Sequence, residues 1–149
     1  MHRRADSAAI LELLTFRVNG QAFAVDGRTV RELRGWTPST PVPAAPPYVQ
    51  GVVNLRGAVL PIVDLNLRLG FPAQAMTDRH VVIVSQTGRR LVGAVADEVM
   101  DITPVAASDV RPTPSVAPAA LRSLFEGVIS QADGGVVILL AFDALIPDG

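Results

Sequence analysis

The sequence predicts an all-β protein made of two small barrels or a sandwich, on three observations. Roughly ten short apolar stretches are separated by turn signals about every 8 to 12 residues, the spacing of small sandwich and barrel folds. No stretch carries the 3.6-residue apolar period over the length of a stable helix. The two halves also share one grammar: hairpin, strand, proline-rich excursion, hairpin.

Residues 1–9 read as a flexible tail. Residues 11–18 and 21–25 flank Asn19-Gly20, and Asn-Gly between apolar runs is the strongest short hairpin signal. Asp26-Gly27 is a turn, and 30–36 follow as a third strand, entered by a single helical turn. Residues 37–47 hold five prolines in 11 positions, an extended segment that cannot pair along a full ladder. The next hairpin, within 48–65, has Val52, Val53 and Leu55 before a turn at Asn54-Leu55-Arg56-Gly57, and Val59, Leu60, Ile62 and Val63 after it. Gly57 suits the positive-φ end of a three- or four-residue connection. Pro61 donates no ladder hydrogen bond, so the returning strand is an edge strand there or turns its nitrogen away from a neighbour. Residues 65–70 read as a brief helix or irregular crossover, and 71–78 as a linker.

A second set of strands follows at 79–86, 89–95 and 99–102, with Thr87-Gly88 as a turn. Residues 104–120 hold four prolines, a surface loop in which 106–110 and 117–124 make a helical turn each. The last hairpin runs 124–131 and 136–142 around Asp133-Gly134-Gly135, and 143–146 is a terminal turn.

Composition removes several classes of chemistry. All 13 basic residues are arginine, so a Schiff-base lysine and a P-loop lysine are absent. The chain has no cysteine, which excludes thiol nucleophiles and cysteine-ligated metals. A formal charge of -1 leaves no electrostatic footprint for nucleic acid or an anionic membrane surface. With no secretory signal and no run long enough to span a bilayer, a soluble cytoplasmic protein is expected.

Of the two histidines, His2 falls in the tail and His80 at a strand start, where a strand-end role outweighs a general base. Asp97, Glu98 and Asp101 form the densest acidic cluster, but their neighbours Val99, Met100 and Ile102 read as a strand end with solvated charges rather than a cation site. Arg89-Arg90 reads as a charged turn. No serine sits in a Gly-x-Ser-x-Gly elbow. The chain presents no catalytic constellation, and its function is expected on its surfaces. Arg56, at a turn tip, is either a solubilising arginine or a recognition residue.

The run Gly51-Val52-Val53-Asn54-Leu55-Arg56-Gly57, followed by Pro61-Ile62-Val63-Asp64-Leu65, resembles the signature of CheW-like chemotaxis coupling proteins. The resemblance extends back through Phe16, Gln21-Ala22-Phe23-Ala24-Val25-Asp26, Val30-Arg31-Glu32-Leu33 and Pro41-Val42-Pro43. It continues more loosely over 81–84, 93–99 and 136–140, so that it covers about residues 11–146. It implies a single domain over 10–146: two five-stranded SH3-like barrels side by side with a groove between them. The first barrel falls mainly in 15–75 and the second mainly in 79–142, with a strand near the N-terminus able to pack in the second barrel.

The resemblance further implies a non-enzymatic adaptor without cofactor or metal. It would couple the cytoplasmic tip of a chemoreceptor (a methyl-accepting chemotaxis protein) to the regulatory domain of a CheA-type histidine kinase, and associate with membrane receptor arrays through those partners. A chain of these bounds is expected to be the stand-alone adaptor rather than the kinase's own domain of the same fold. The implied receptor groove lies at Glu32, Asn54, Leu55, Arg56 and Gly57, with Glu32 ion-paired to Arg56. The implied kinase face is Leu14, Val25, Gly27, Val30 and Val99, for which Leu14 and Val99 also read as core. The chain departs from the family at Gly27, where an aliphatic side chain is usual, a loss of about 1.5–3 kcal/mol if that anchor is buried in the complex. The same fold could instead serve another chemosensory pathway, in motility, biofilm or development. An enzyme or small-molecule binder on a β-barrel is a more distant alternative.

Overall fold

The computed structural model describes residues 9–147; His2 and nearly all of the expected N-terminal tail lie outside the described residues. Ten strands and one short helix follow in order: β1 (Ile10–Val18), β2 (Gln21–Asp26), β3 (Val30–Gly35), β4 (Val49–Leu55), β5 (Ala58–Asp64), α1 (Leu65–Arg68), β6 (Val81–Thr87), β7 (Arg90–Ala96), β8 (Glu98–Ala106), β9 (Phe125–Ser130) and β10 (Val136–Leu140). Four single 3-10 turns complete the described structure. Two of them fall in the proline-rich 104–120 region and its continuation, where the sequence expects helical turns.

The strands form two five-stranded sheets. A terminal sheet has the order β8-β1-β2-β10-β9, and a central sheet the order β3-β6-β7-β5-β4. Both follow one pairing pattern, antiparallel except for a parallel third pair, β2 with β10 and β7 with β5. The N-terminal strands do pack with the later ones, as the resemblance allows, and the exchange goes further than a division mainly into 15–75 and 79–142. Each half of the sequence sends its leading hairpin into the other sheet: β1–β2 joins β8, β9 and β10, while β6–β7 joins β3, β4 and β5. Alternating apolar patterns fix which face of a strand is buried but not which neighbour it pairs with, and the two halves carry interchangeable patterns.

Each sheet curls so that its two outer strands meet at one isolated bridge. The segment after β3 reaches β4, where Thr40 and Val52 exchange two backbone hydrogen bonds of 2.9 Å. The segment after β8 reaches β9, where Arg111 and Val128 do the same at 2.9 Å. A glycine precedes the bridged valine in both cases, because the crossing backbone leaves no room for a Cβ. At Gly51 a Cβ would stand 2.3 Å from the Thr40 carbonyl oxygen, and at Gly127 it would stand 2.8 Å from that of Arg111.

Pro61 sits in β5, which is flanked on both sides and is not an edge strand. Its partner Val52 directs both backbone groups to Thr40, so Pro61 and Val52 form a non-hydrogen-bonded pair and the proline nitrogen faces away from β4. On its other side the ladder to β7 begins one residue later, at Ile62. The missing N–H is thus asked for by neither neighbour.

Apolar side chains gather in three clusters. One fills the terminal barrel around Leu11, Leu13, Ile129 and Leu139, and another fills the central barrel around Leu55, Leu60, Val82 and Val95. The most extensive lies between the barrels, where Leu14, Phe16, Val18, Phe23 and Val25 pack on Val63, Ile83, Val92 and Ala94, with Phe142 and Leu145 from the C-terminal turn. Phe16 is fully buried there, its ring centroid 6.2 Å from that of Phe23 and 5.9 Å from that of Phe142. The exchanged hairpins and this shared core join the two barrels. Arg68 tethers the C-terminal turn to it, donating to the carbonyls of Leu145 at 2.8 Å and Ala144 at 3.1 Å while its guanidinium lies over the Tyr48 ring.

Candidate functional site

The β4–β5 hairpin closes with Leu55 opposite Ala58, which leaves a two-residue loop of Arg56 and Gly57, shorter than the expected three or four. Both residues lie at positive φ, 51° and 88°, the arrangement whose twist matches that of the flanking strands. Gly57 adopts it freely, whereas Arg56 pays about 1–2 kcal/mol for a left-handed backbone. Two local contacts hold the turn. The Asn54 side-chain oxygen accepts the Gly57 N–H at 2.8 Å, and Leu55 is buried in the central barrel.

The Arg56 side chain is 71% exposed, and its guanidinium is ion-paired to Glu32. Glu32 is on β3 and Arg56 at the far end of the sheet order, so the pair spans the seam where the central barrel closes. Trp36 spans the same seam, donating from its indole nitrogen to Gln50 at 3.0 Å. Glu32, Asn54, Leu55, Arg56 and Gly57 therefore come together, but at this seam. A hollow of about 660 Å³ between the two sheets is lined instead by Leu33, Arg34, Arg79, Val81, Glu98 and Val99, among others, and by none of those five.

The expected second surface needs correction at two positions. Leu14 and Val25, only 4% and 2% exposed, belong to the core between the barrels. Val30 and Val99 are half-buried against that core. Leu14 lies between Val25 on β2 and Ile102 on β8, which places the three in one row on one face. The row surfaces at Ile102, 59% exposed. Ile102 is thus the exposed end of this row, and the sequence shows it only as one more apolar residue in a strand. Gly27 is half-buried, and a Cβ there would come within 2.9 Å of the Glu12 carbonyl oxygen. The close passage of β1 explains why an aliphatic side chain is missing from this position.

The acidic cluster disperses. Asp97 accepts the Asn19 N–H at 2.8 Å, tying the β1–β2 turn to the central sheet, and its other oxygen lies 3.5 Å from the His80 Nε2. Glu98 faces Arg17 at 3.7 Å, and Asp101 accepts the N–H of Ile102. No cluster of three metal-ligating side chains occurs among the described residues. Nearby, the buried Asp64 caps α1, accepting from Asn66 at 2.9 Å and Leu67 at 3.4 Å. Burial pushes its carboxyl above the ordinary carboxylate range, and the neighbouring Asp97 adds to this against those two hydrogen bonds.

Comparison with known proteins agrees with this architecture. The family model for the CheW-like domain matches residues 12–149. The chain is 50% identical over 136 residues to chemotaxis protein CheW of Rhizobium meliloti (strain 1021), covering 91% of this chain and 87% of that one. It is 43% identical over 137 residues to the probable chemotaxis protein CheW of Rhizobium etli, covering 92% and 88%. Among solved structures, scaffolding protein TtCheW from Thermoanaerobacter tengcongensis superposes with a TM-score of 0.85 over 95% of both chains at 21% identity, which shows a common fold. The chain belongs to the CheW-like domain family.

Proposed function

We propose that this protein is a non-enzymatic scaffold of bacterial chemotaxis, located in the cytoplasm, that couples the cytoplasmic tip of a chemoreceptor to a CheA-type histidine kinase. The observation that carries the reading is the presentation of Arg56. A left-handed, non-glycine backbone is maintained at the hairpin tip, a side-chain cap fixes the turn, and Glu32 steadies an otherwise exposed guanidinium. An exposed ion pair of this kind contributes little to stability, under about 1 kcal/mol. Its value is orientation, offering directed donors to a partner's carboxylates or helix-end carbonyls. The receptor's helical hairpin would lie against the seam formed by Glu32, Asn54, Leu55, Arg56 and Gly57.

The kinase domain would dock on Val30, Val99 and Ile102, with Leu14 and Val25 beneath them as support and Gly27 beside them. The core shared by the barrels holds the two surfaces in fixed relation, so a signal would pass as a change in placement of rigid parts. Titration calorimetry against each partner fragment tests the reading. Arg56→Ala should weaken receptor binding by at least about tenfold, the loss of one charge-assisted contact, and leave kinase binding unchanged, while Ile102→Asp should do the reverse. Failure of the folded protein to bind either fragment would leave a common fold without the common function.

A further inference from the structure

We infer that a cleft on the terminal barrel, whose lining shares no residue with either surface above, is a binding site for a small organic oxyanion, a phosphate or carboxylate carried on a compact apolar body. The cleft, about 820 Å³, lies where the loop after β8 passes over the start of β9. That volume falls within the range of pockets that enclose small molecules.

Its lining is rich in donors that lack partners. Arg111 makes no side-chain hydrogen bond or ion pair among the described residues. Among the described residues Arg122 uses its Nε alone, which donates to the Ala117 carbonyl at 3.3 Å and leaves both terminal nitrogens open. The Thr113 hydroxyl lies buried behind the wall, without a partner among the described residues and closed to the cleft itself. The acid on the lining, Glu126, is not free, since it already interacts with another group. Asp109 lines an adjoining hollow with Arg111 and forms no ion pair with it among the described residues. The cleft lining itself therefore carries two arginines against one already engaged carboxylate, with the Asp109 carboxylate in the adjoining hollow.

The other wall is apolar, formed by Val110, Pro112, Pro114 and Phe125. Two guanidiniums suit the planar or tetrahedral oxygens of an oxyanion, and the proline and phenylalanine faces suit its apolar part. A bare inorganic ion would leave that wall wet. Arg111 is also the residue whose backbone closes the terminal barrel on Val128, so an occupant would brace this closure.

The test is a two-dimensional amide NMR titration of the full chain at constant ionic strength. Phenyl phosphate and phenylacetate serve as probes, with inorganic phosphate and phenol as their separate halves. The expected result is saturable shifts confined to residues 107–115 and 122–127, with a probe binding at lower concentration than either half; the tighter probe names the oxyanion. Arg111→Gln and Arg122→Gln should each weaken it at least about tenfold, the loss of one charge-assisted pair, while Arg89→Gln changes nothing. The same spectra report whether each variant is folded. Shifts that rise linearly without saturation, that spread to exposed arginines elsewhere, or that survive both substitutions in folded protein would overturn the site.

Discussion

Replacing Gly51 by alanine tests whether the single bridge between the outer strands closes the central barrel. The new Cβ would stand 2.3 Å from the Thr40 carbonyl oxygen and 2.7 Å from its carbon, and neither backbone atom can yield as a flexible side chain would. The bridge must open, forfeiting two hydrogen bonds of 2.9 Å between Thr40 and Val52. At about 0.5–1.5 kcal/mol each, that is about 1–3 kcal/mol. Gly51 also has φ of 155°, where an alanine adds about 1–3 kcal/mol of backbone strain. The sum is about 2–6 kcal/mol, and each kcal/mol lowers the melting temperature of a chain this size by about 2–4 °C. Urea unfolding followed through Trp36 is the natural assay, because this lone tryptophan is hydrogen-bonded across the same seam to Gln50. Gly35→Ala, whose Cβ meets nothing within 4 Å, is the control and should stay within about 0.5 kcal/mol of the parent. If Gly51→Ala matched that control with an unchanged denaturant slope, the bridge would contribute nothing and the account of closure would fail.

Further outcomes follow from the same geometry. Gly127→Ala should open the Arg111–Val128 bridge at a cost of about 1–3 kcal/mol, without added φ strain, as read by the urea midpoint. Phe16→Ala should cost about 3–5 kcal/mol. Because Phe16 belongs to the core between the barrels, Trp36 fluorescence and far-UV circular dichroism should shift together, and a biphasic transition would contradict the single-body reading. Arg68→Ala should cost about 1.5–3 kcal/mol and expose the C-terminal turn to proteolysis before global unfolding; protection equal to the parent would count against the tether. Asp64 has its folded-state pKa raised by burial, so the unfolded chain releases this proton first as pH rises. Its contribution to stability therefore falls from about pH 4, the ordinary carboxylate value, up through the folded-state pKa. Asp64→Asn keeps the cap and should remove that decline, so a difference in stability between variant and parent that stays constant with pH would refute the assignment.

The alternation of apolar residues and the turn chemistry were sufficient to read most elements. Asn19-Gly20 marks the first hairpin, Asp26-Gly27 the 3-10 turn into β3, and Asp133-Gly134-Gly135 the last hairpin, because each depends on backbone preferences of adjacent residues. The run from Gly51 to Gly57 likewise marks the hairpin that presents Arg56. Its loop is two residues rather than three or four because Arg56 takes a left-handed backbone that arginine seldom adopts, held there by the Asn54 cap and the buried Leu55.

What the tertiary structure alone decided is which strands are neighbours and which apolar residues remain visible to a partner. Every hairpin here is two-faced and similarly patterned, so exchange of β1–β2 with β6–β7 leaves no trace in the patterning, and the resemblance implies only its N-terminal part. The whole exchange emerges only when Phe16, Val18 and Phe23 meet Ile83 and Ala94 between the sheets. The same packing draws Leu14 and Val25 inside and leaves Ile102 outside, although all three look alike as apolar strand residues. The sequence by itself determined the strands, the turns, the absence of lysine and cysteine chemistry, and the resemblance to CheW-like proteins, because each is written in single residues or short runs. Burial and pairing are sums over contacts between residues far apart in the chain, and only the folded molecule performs that sum.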